Sequence, residues 1–160
     1  EPWVESASVQ RVWPAALLVA VQERRAVAHW RGTALLNADA DVFTPAPETV
    51  PDGLPALTGP PGSAALVLDR FRELSELLAP AGFPVAELVL SDRGAWRFRL
   101  AGGPEVIVGR DEFHARVHRL IVSLDRVLAH PVETIRTIDL RYTNGLAMDL
   151  KKAAVPEEEA

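Results

Sequence analysis

Hydrophobic and polar positions alternate from Ala7 to Trp13: Ala7, Val9, Arg11 and Trp13 fall on one side, Ser8, Gln10 and Val12 on the other. A period of two marks a strand. Pro14 interrupts the pattern and starts a turn, after which Leu17 to Val21 resumes as an apolar run, so residues 1–30 predict two strands around a turn. A two-stranded hairpin is marginal in water by itself. These strands therefore need a partner, either in the domain that follows or in sequence upstream of Glu1. Thr33 to Phe43 predicts a further strand pair with Asn37-Ala38-Asp39 near its turn. From Thr44 to Gly62 six prolines lie among Gly53, Gly59 and Gly62. Proline has no N–H to give a ladder, so this stretch is predicted to cross the surface in extended form, ordered where Leu54 and Leu57 are buried.

The period then changes to that of a helix. Val67, Phe71, Leu74 and Leu78 recur at helical spacing with Arg70, Arg72, Glu73 and Glu76 around them, which predicts a helix capped by Ser63 and running to about Ala79. Pro80 and Gly82 end it. Val85 to Ser91, Ala95 to Leu100 and Val106 to Gly109 predict three short strands joined by Asp92-Arg93-Gly94 and Ala101-Gly102-Gly103-Pro104. A second helix, capped by Asp111 and reaching about Ala129, presents Phe113, Val117, Leu120, Leu124 and Leu128 inward, and Pro131 closes it.

Ile138 to Tyr142 alternates again and leads into Asn144-Gly145. That dipeptide is the strongest short-range hairpin signal, because a type I′ turn needs positive φ at both central residues. Leu146 to Leu150 is predicted to return as the last strand, and a last strand at a sheet edge offers unpaired backbone groups to another chain. The order strands, helix, strands, helix, strands favours an α+β fold with a largely antiparallel sheet. Lys151 to Ala160, with Glu157, Glu158 and Glu159, reads as a charged, solvated tail.

Composition narrows the function. The 160 residues suffice for one good core, and 48% hydrophobic with 24% charged residues fits a mostly folded chain. A formal net charge of -5 argues against general nucleic-acid binding, and the absence of Cys removes thiolate nucleophiles, Cys-ligated metal and disulfides. No apolar run approaches the roughly 18 residues that span a bilayer. The chain opens on Glu1, which reads as a piece excised from a longer protein with any anchor upstream. His114 and His118, four apart with Asp125 on the same stripe, are the only ligand-like spacing; they also fit the polar margin of an amphipathic helix. Ser63 lacks a nucleophile elbow, and Gly59-Pro60-Pro61-Gly62 lacks the Lys and the amides of a phosphate loop. No catalytic constellation and no cofactor emerge. Of the basic residues 15 are Arg and 2 are Lys, and Arg93, Arg97, Arg99, Arg136 and Arg141 gather in the strand region. They form either a solvated outer face or a basic patch beside an edge, suited to an acidic protein segment.

Several segments together resemble the FtsQ/DivIB family of bacterial cell-division proteins: Pro2-Trp3-Val4, Ala7-Ser8-Val9, Arg11, Trp13-Pro14, Glu23-Arg24 and Ala28-His29-Trp30. Leu54-Pro55-Ala56-Leu57, Gly59-Pro60, Gly62-Ser63, Trp96 and Ile138-Asp139-Leu140-Arg141-Tyr142 with Gly145 continue the likeness. The resemblance implies a non-enzymatic divisome scaffold, anchored in the inner membrane by one upstream helix, with this region in the periplasm. It implies a POTRA remnant over residues 1–25, a β domain over 26–150 and the tail over 151–160. The implied partners are FtsB and FtsL among other divisome proteins, with FtsB adding a strand to the terminal hairpin. On that pattern Tyr142 is the aromatic anchor, and Asn144, Gly145 and Leu146 lie along the partner's backbone. Leu150 stands where some relatives carry Trp, and Arg93 meets an acidic side chain of FtsB. The chain departs from the family pattern in Asp39-Ala40-Asp41, where a Gly is expected, and in the size of Leu146. The remaining alternatives are a POTRA-type outer-membrane transport component and a metal-dependent hydrolase using His114 and His118.

Overall fold

The computed structural model describes residues 2–127 and 131–151. Strands β1 (Val4–Val12) and β2 (Ala16–Glu23) form a separate antiparallel ribbon in which Val9 faces Val19 and Arg11 faces Leu17. Directly opposed residues share a face, so Val9, Leu17, Val19 and Val21 make one apolar surface, each more than half exposed. Trp3 ties the ribbon down: its indole N–H donates to Thr49 Oγ1 at 2.8 Å and its ring meets Phe43 edge-on.

Two long α-helices and nine more strands follow among the described residues, with one four-residue helix after the second. The strands are β3 (Ala26–Trp30), β4 (Ala34–Asn37), β5 (Val42–Phe43), β6 (Ala56–Thr58), β7 (Val85–Leu90) and β8 (Trp96–Leu100), then β9 (Glu105–Gly109), β10 (Ile135–Asp139) and β11 (Ala147–Leu150). The long helices are α1 (Ala64–Leu78) and α2 (Phe113–Val122). The nine strands make one sheet in the order β11-β10-β9-β8-β7-β6-β3-β4-β5. Most pairings are antiparallel; β3–β6, β6–β7 and β9–β10 are parallel. Helix α1 connects β6 to β7 and α2 connects β9 to β10, and both crossovers step the same way across the sheet. Right-handed connections then require both helices on one face. Arg70 of α1 accordingly stacks on Phe113 of α2, 4.7 Å from the ring centroid. Under the helices lie Leu88, Trp96, Phe98, Leu100, Val106, Val108 and Ile138, all buried, while Arg97 and Arg99 point to the opposite face as the alternation predicts. No helix of the described residues is long and apolar enough to cross a membrane.

The proline-rich stretch departs from its expected surface path. Ala56–Thr58 is a strand in the middle of the sheet, parallel to β3 on one side and β7 on the other. Proline withholds only its own N–H: the Pro55 carbonyl accepts from the His29 amide at 2.8 Å, and Leu57 accepts from Arg31 at 2.9 Å. Leu57 is fully buried and Leu54 half-buried. Residues 26–30, read with the first strand pair, are likewise a sheet strand of their own.

Helix boundaries differ in detail. Ser63 holds the cap position of α1, but its hydroxyl donates to the Pro60 carbonyl at 2.7 Å instead of accepting from the helix. The residue before α2 is Glu112, not Asp111, in a left-handed conformation at φ 55°. Ser123 breaks the second helix, a four-residue helix Leu124–Val127 follows, and the predicted inner residue Leu128 and end residue Ala129 lie outside the described residues, as do His130 and the tail beyond Lys151. In the β4–β5 turn the buried Asn37 accepts the amides of Asp39 and Asp41 at 3.0 and 2.8 Å. Ala40, within the Asp39-Ala40-Asp41 stretch of the turn where a Gly is expected, stands at φ 65°.

Because Leu57 fills the seam of the sheet, Leu57→Ala is expected to lower the free energy of unfolding by about 2–5 kcal/mol in urea titration. A loss within ~0.5 kcal/mol, the range of surface substitutions, would contradict a central β6.

Candidate protein-docking edge

Among the described residues strand β11 is bonded to β10 on one side only and forms an edge of the sheet. Asp139 lies opposite Ala147 and Ile138 opposite Met148. The Lys151 amide donates to the Thr134 carbonyl at 2.7 Å, which sets the phase of the strand. Successive residues alternate in the direction of their N–H and C=O, so Lys151, Asp149 and Ala147 face β10 while Leu150 and Met148 turn theirs outward. Side chains alternate too: Leu146 and Met148 pack against the core, whereas Asp149 is on the opposite face, 3.4 Å from Arg136.

The Asn144-Gly145 hairpin predicted from sequence does not form as a type I′ turn. Neither residue has positive φ, and residues 140–146 all lie between the strands. The reason is that Leu140 follows β9 beyond the end of β10: its amide donates to Ile107 at 2.9 Å and its side chain is fully buried. Side chains hold the open connection. Arg141 grips Asp139 through Nε at 3.0 Å and Nη2 at 2.6 Å, and its amide adds a third bond to the same carboxylate. Arg119 of α2 donates from Nη1 to the Tyr142 carbonyl at 2.7 Å and to the Gly145 carbonyl at 3.5 Å. Gly109, at φ 91°, permits this crowding, since a Cβ there would stand 3.2 Å from Arg141 Cγ. The hydrogen bond from Arg141 pulls the Asp139 pKa below its ordinary value against the opposing effect of burial, and the same bond raises the pKa of Arg141.

Strands β7, β9 and β10 run parallel, so the turn carrying Arg93 and the connection 140–146 lie at the same end of the sheet. The structure thus brings Arg93, Tyr142, Asn144, Gly145 and Leu146 to one end, with Arg93, Tyr142 and Asn144 exposed. Leu150, opposite Ile135 and 42% exposed, sits at the far end of β11. The broad basic patch is not retained. Arg97 pairs with Glu105, Arg99 with Glu87 at 3.4 Å and Arg136 with Asp149, because register sets a carboxylate beside each, and Arg141 pairs with Asp139 two residues before it in the chain. Arg93 has no such partner among the described residues. Arg110, directly after β9, is a second exposed arginine at that end, outside the strands whose alternation points to the other arginines. Arg119 on α2 has the sequence pattern of any arginine at a polar margin, and no local signal reveals its carbonyl partners.

The histidines do not converge. His114 Nε2 meets Glu73 and lies 2.8 Å from Arg70, a cation that opposes a metal ion there, while His118 is exposed elsewhere on α2. Among the described residues no three His, Cys, Asp or Glu gather around one point. The side chain of Asp125 lies outside the described residues.

The family model for the C-terminal part of cell division protein FtsQ/DivIB matches residues 28–141, and that for the FtsQ-type POTRA domain matches residues 1–24. A Coxiella burnetii protein named cell division protein FtsQ is 36% identical over 150 residues, covering 94% of this chain and 62% of the relative. Proteins of the same name from Hahella chejuensis and Shewanella oneidensis are 36% and 40% identical over 98% and 92% of this chain. The chain spans 56% of the length of each of these two.

The lowered pKa of Asp139 gives a pH dependence with a definite sign. A carboxylate favoured in the folded state adds stability above its unfolded pKa, and that stability is lost as pH falls through the lowered folded value. NMR titration of the Asp139 carboxyl is expected to give a midpoint below that of an ordinary aspartate, and Arg141→Ala is expected to raise it. An unmoved midpoint in that variant would remove Arg141 as the cause.

Proposed function

The chain belongs to the FtsQ/DivIB family of cell division proteins, and on that premise we propose that it is part of a non-enzymatic divisome scaffold that binds FtsB, with FtsL, by strand addition to β11. In this reading residues 1–25 are the end of a POTRA module, residues 26–150 the docking domain and residues 151–160 a charged tail. The region lies in the periplasm, the whole protein is held in the inner membrane by an upstream helix, and docking links early to late division proteins and regulates septal wall synthesis. The observation that carries the reading is the outer edge of β11, unpaired among the described residues, with Met148 and Leu150 presenting backbone groups outward.

The surroundings suit a partner strand of particular chemistry. Leu146, Met148 and Leu150 share the helix-bearing face, so partner residues on that face are apolar. Ala147, Asp149 and Arg136 line the other face, where partner residues are polar. Tyr142, 59% exposed, is the anchor that a partner covers, and aromatic anchors carry much of the energy of such interfaces. Arg93 meets an acidic side chain, as an exposed and screened pair.

Calorimetric titration with a peptide of the FtsB C-terminal region tests the site. Tyr142→Ala and Gly145→Asp are each expected to weaken binding roughly tenfold or more with the melting temperature retained. Unchanged affinity in both variants would sink the assignment. Arg93→Glu is expected to weaken binding more at low salt than at high salt, because salt screens exposed charges. A loss independent of salt would mean that Arg93 acts through packing instead of charge.

A further inference from the structure

We propose that Arg119 is a positioning residue of the docking edge: its guanidinium replaces the strand that β10 does not supply beyond Asp139, and so extends the edge from Met148 back to Leu146. The inference rests on the docking reading and deepens it. The last ladder pair is Asp139 with Ala147, after which Leu140 turns its amide to Ile107. Continued back two residues beyond the start of β11, the alternation would turn Gly145 inward like Ala147, yet among the described residues no strand residue is there to accept or donate. The guanidinium of Arg119 fills that place, donating to the Gly145 carbonyl at 3.5 Å and to the Tyr142 carbonyl at 2.7 Å. Among the described residues Arg119 has no carboxylate partner, so its charge is spent on these carbonyls.

The consequence is phase. With Gly145 held inward, the N–H and C=O of Leu146 point outward in register with those of Met148 and Leu150. A partner strand then meets three outward residues already in order and does not bear the entropy of fixing the 142–146 backbone. Arg119 also fixes where Tyr142 stands, since it holds that residue by its own carbonyl.

The test uses the chain with Arg119→Ala and Arg119→Lys, read by amide hydrogen exchange without partner and by calorimetric titration with the FtsB C-terminal peptide. In Arg119→Ala the amides of residues 142–147 are expected to exchange about tenfold faster while those of β7–β9 keep their protection, and peptide affinity to fall about tenfold. Lysine, which keeps one donor, recovers part of both; it also serves as the working variant if alanine does not fold. Faster exchange throughout the sheet would mark Arg119 as a merely structural residue and overturn the proposal. So would wild-type affinity in Arg119→Ala. If the wild-type chain itself binds no peptide, the docking reading fails and the positioning role falls with it, whereas loss of the role alone leaves wild-type binding intact.

Discussion

Three residues of backbone hold the sheet together. Ala56–Thr58 bonds to β3 on one side and β7 on the other, and without it β3, β4 and β5 would be a meander detached from the remaining strands. The seam is tight: directly after β6, Gly59 passes where a Cβ would stand 2.9 Å from Val67 and 3.2 Å from Trp30. Any larger residue would force the side chains of Ser63 and Val67, at the start of α1, to shift. Because β6 is parallel to both neighbours, its direction sets that of β7, and through the two antiparallel steps of β8 and β9 that of β10.

Those directions decide where chemistry can gather. The turn of Arg93 and the 140–146 connection share an end only because β7 and β10 point the same way. The two crossovers place both helices on one face, which leaves the other for the charged ladder of Glu87, Arg99, Glu105 and Arg97. They also set α2 beside the terminal hairpin, within reach of Arg119. The sheet's two edges are treated differently. At β5, Phe43 is covered by Trp3 from the ribbon, while β11 carries no such cover among the described residues. Exposed edges invite pairing with another chain, so an uncovered one is consistent with use.

Legibility follows how local the deciding physics is. Strands β7, β8 and β9 read correctly because each turn between them carries its own signal, such as Gly94 at φ 78°, and because Trp96, Phe98 and Leu100 alternate strictly with Arg97 and Arg99. The buried faces of α1 and α2 followed helical spacing for the same reason. Strand β6 was hidden because its flanking prolines dominate the composition, while the bonds that make it a strand come from His29 and Arg31, far away in sequence. The arginines showed their sign but not their partners, since pairing depends on register. The edge could be foreseen from chain order; its holding by Arg119 could not, because that contact joins a helix to a loop through backbone carbonyls.

The failure of Asn144-Gly145 to form a tight turn has a reason of parity. A two-residue turn there would set Thr143 opposite Leu146 and, counting back, Leu140 opposite Asp149. The observed register, with Asp139 opposite Ala147, differs by three residues, an odd slip that exchanges the two faces of the strand. Leu140 is buried on the helix-bearing side, so the tight turn would carry Asp149 into the core and turn Met148 to solvent. Burying an unpaired carboxylate costs several kcal/mol, more than a favourable turn returns. The wide connection keeps Met148 opposite Ile138 and leaves Asp149 with Arg136, and the turn preference yields. What the chain then lacks is a ladder across residues 140–146, and the grips of Arg141 on Asp139 and of Arg119 on Tyr142 and Gly145 supply order there by side chain. The burial pattern of the last strand thus dictates both the open connection and the need for an arginine to hold it.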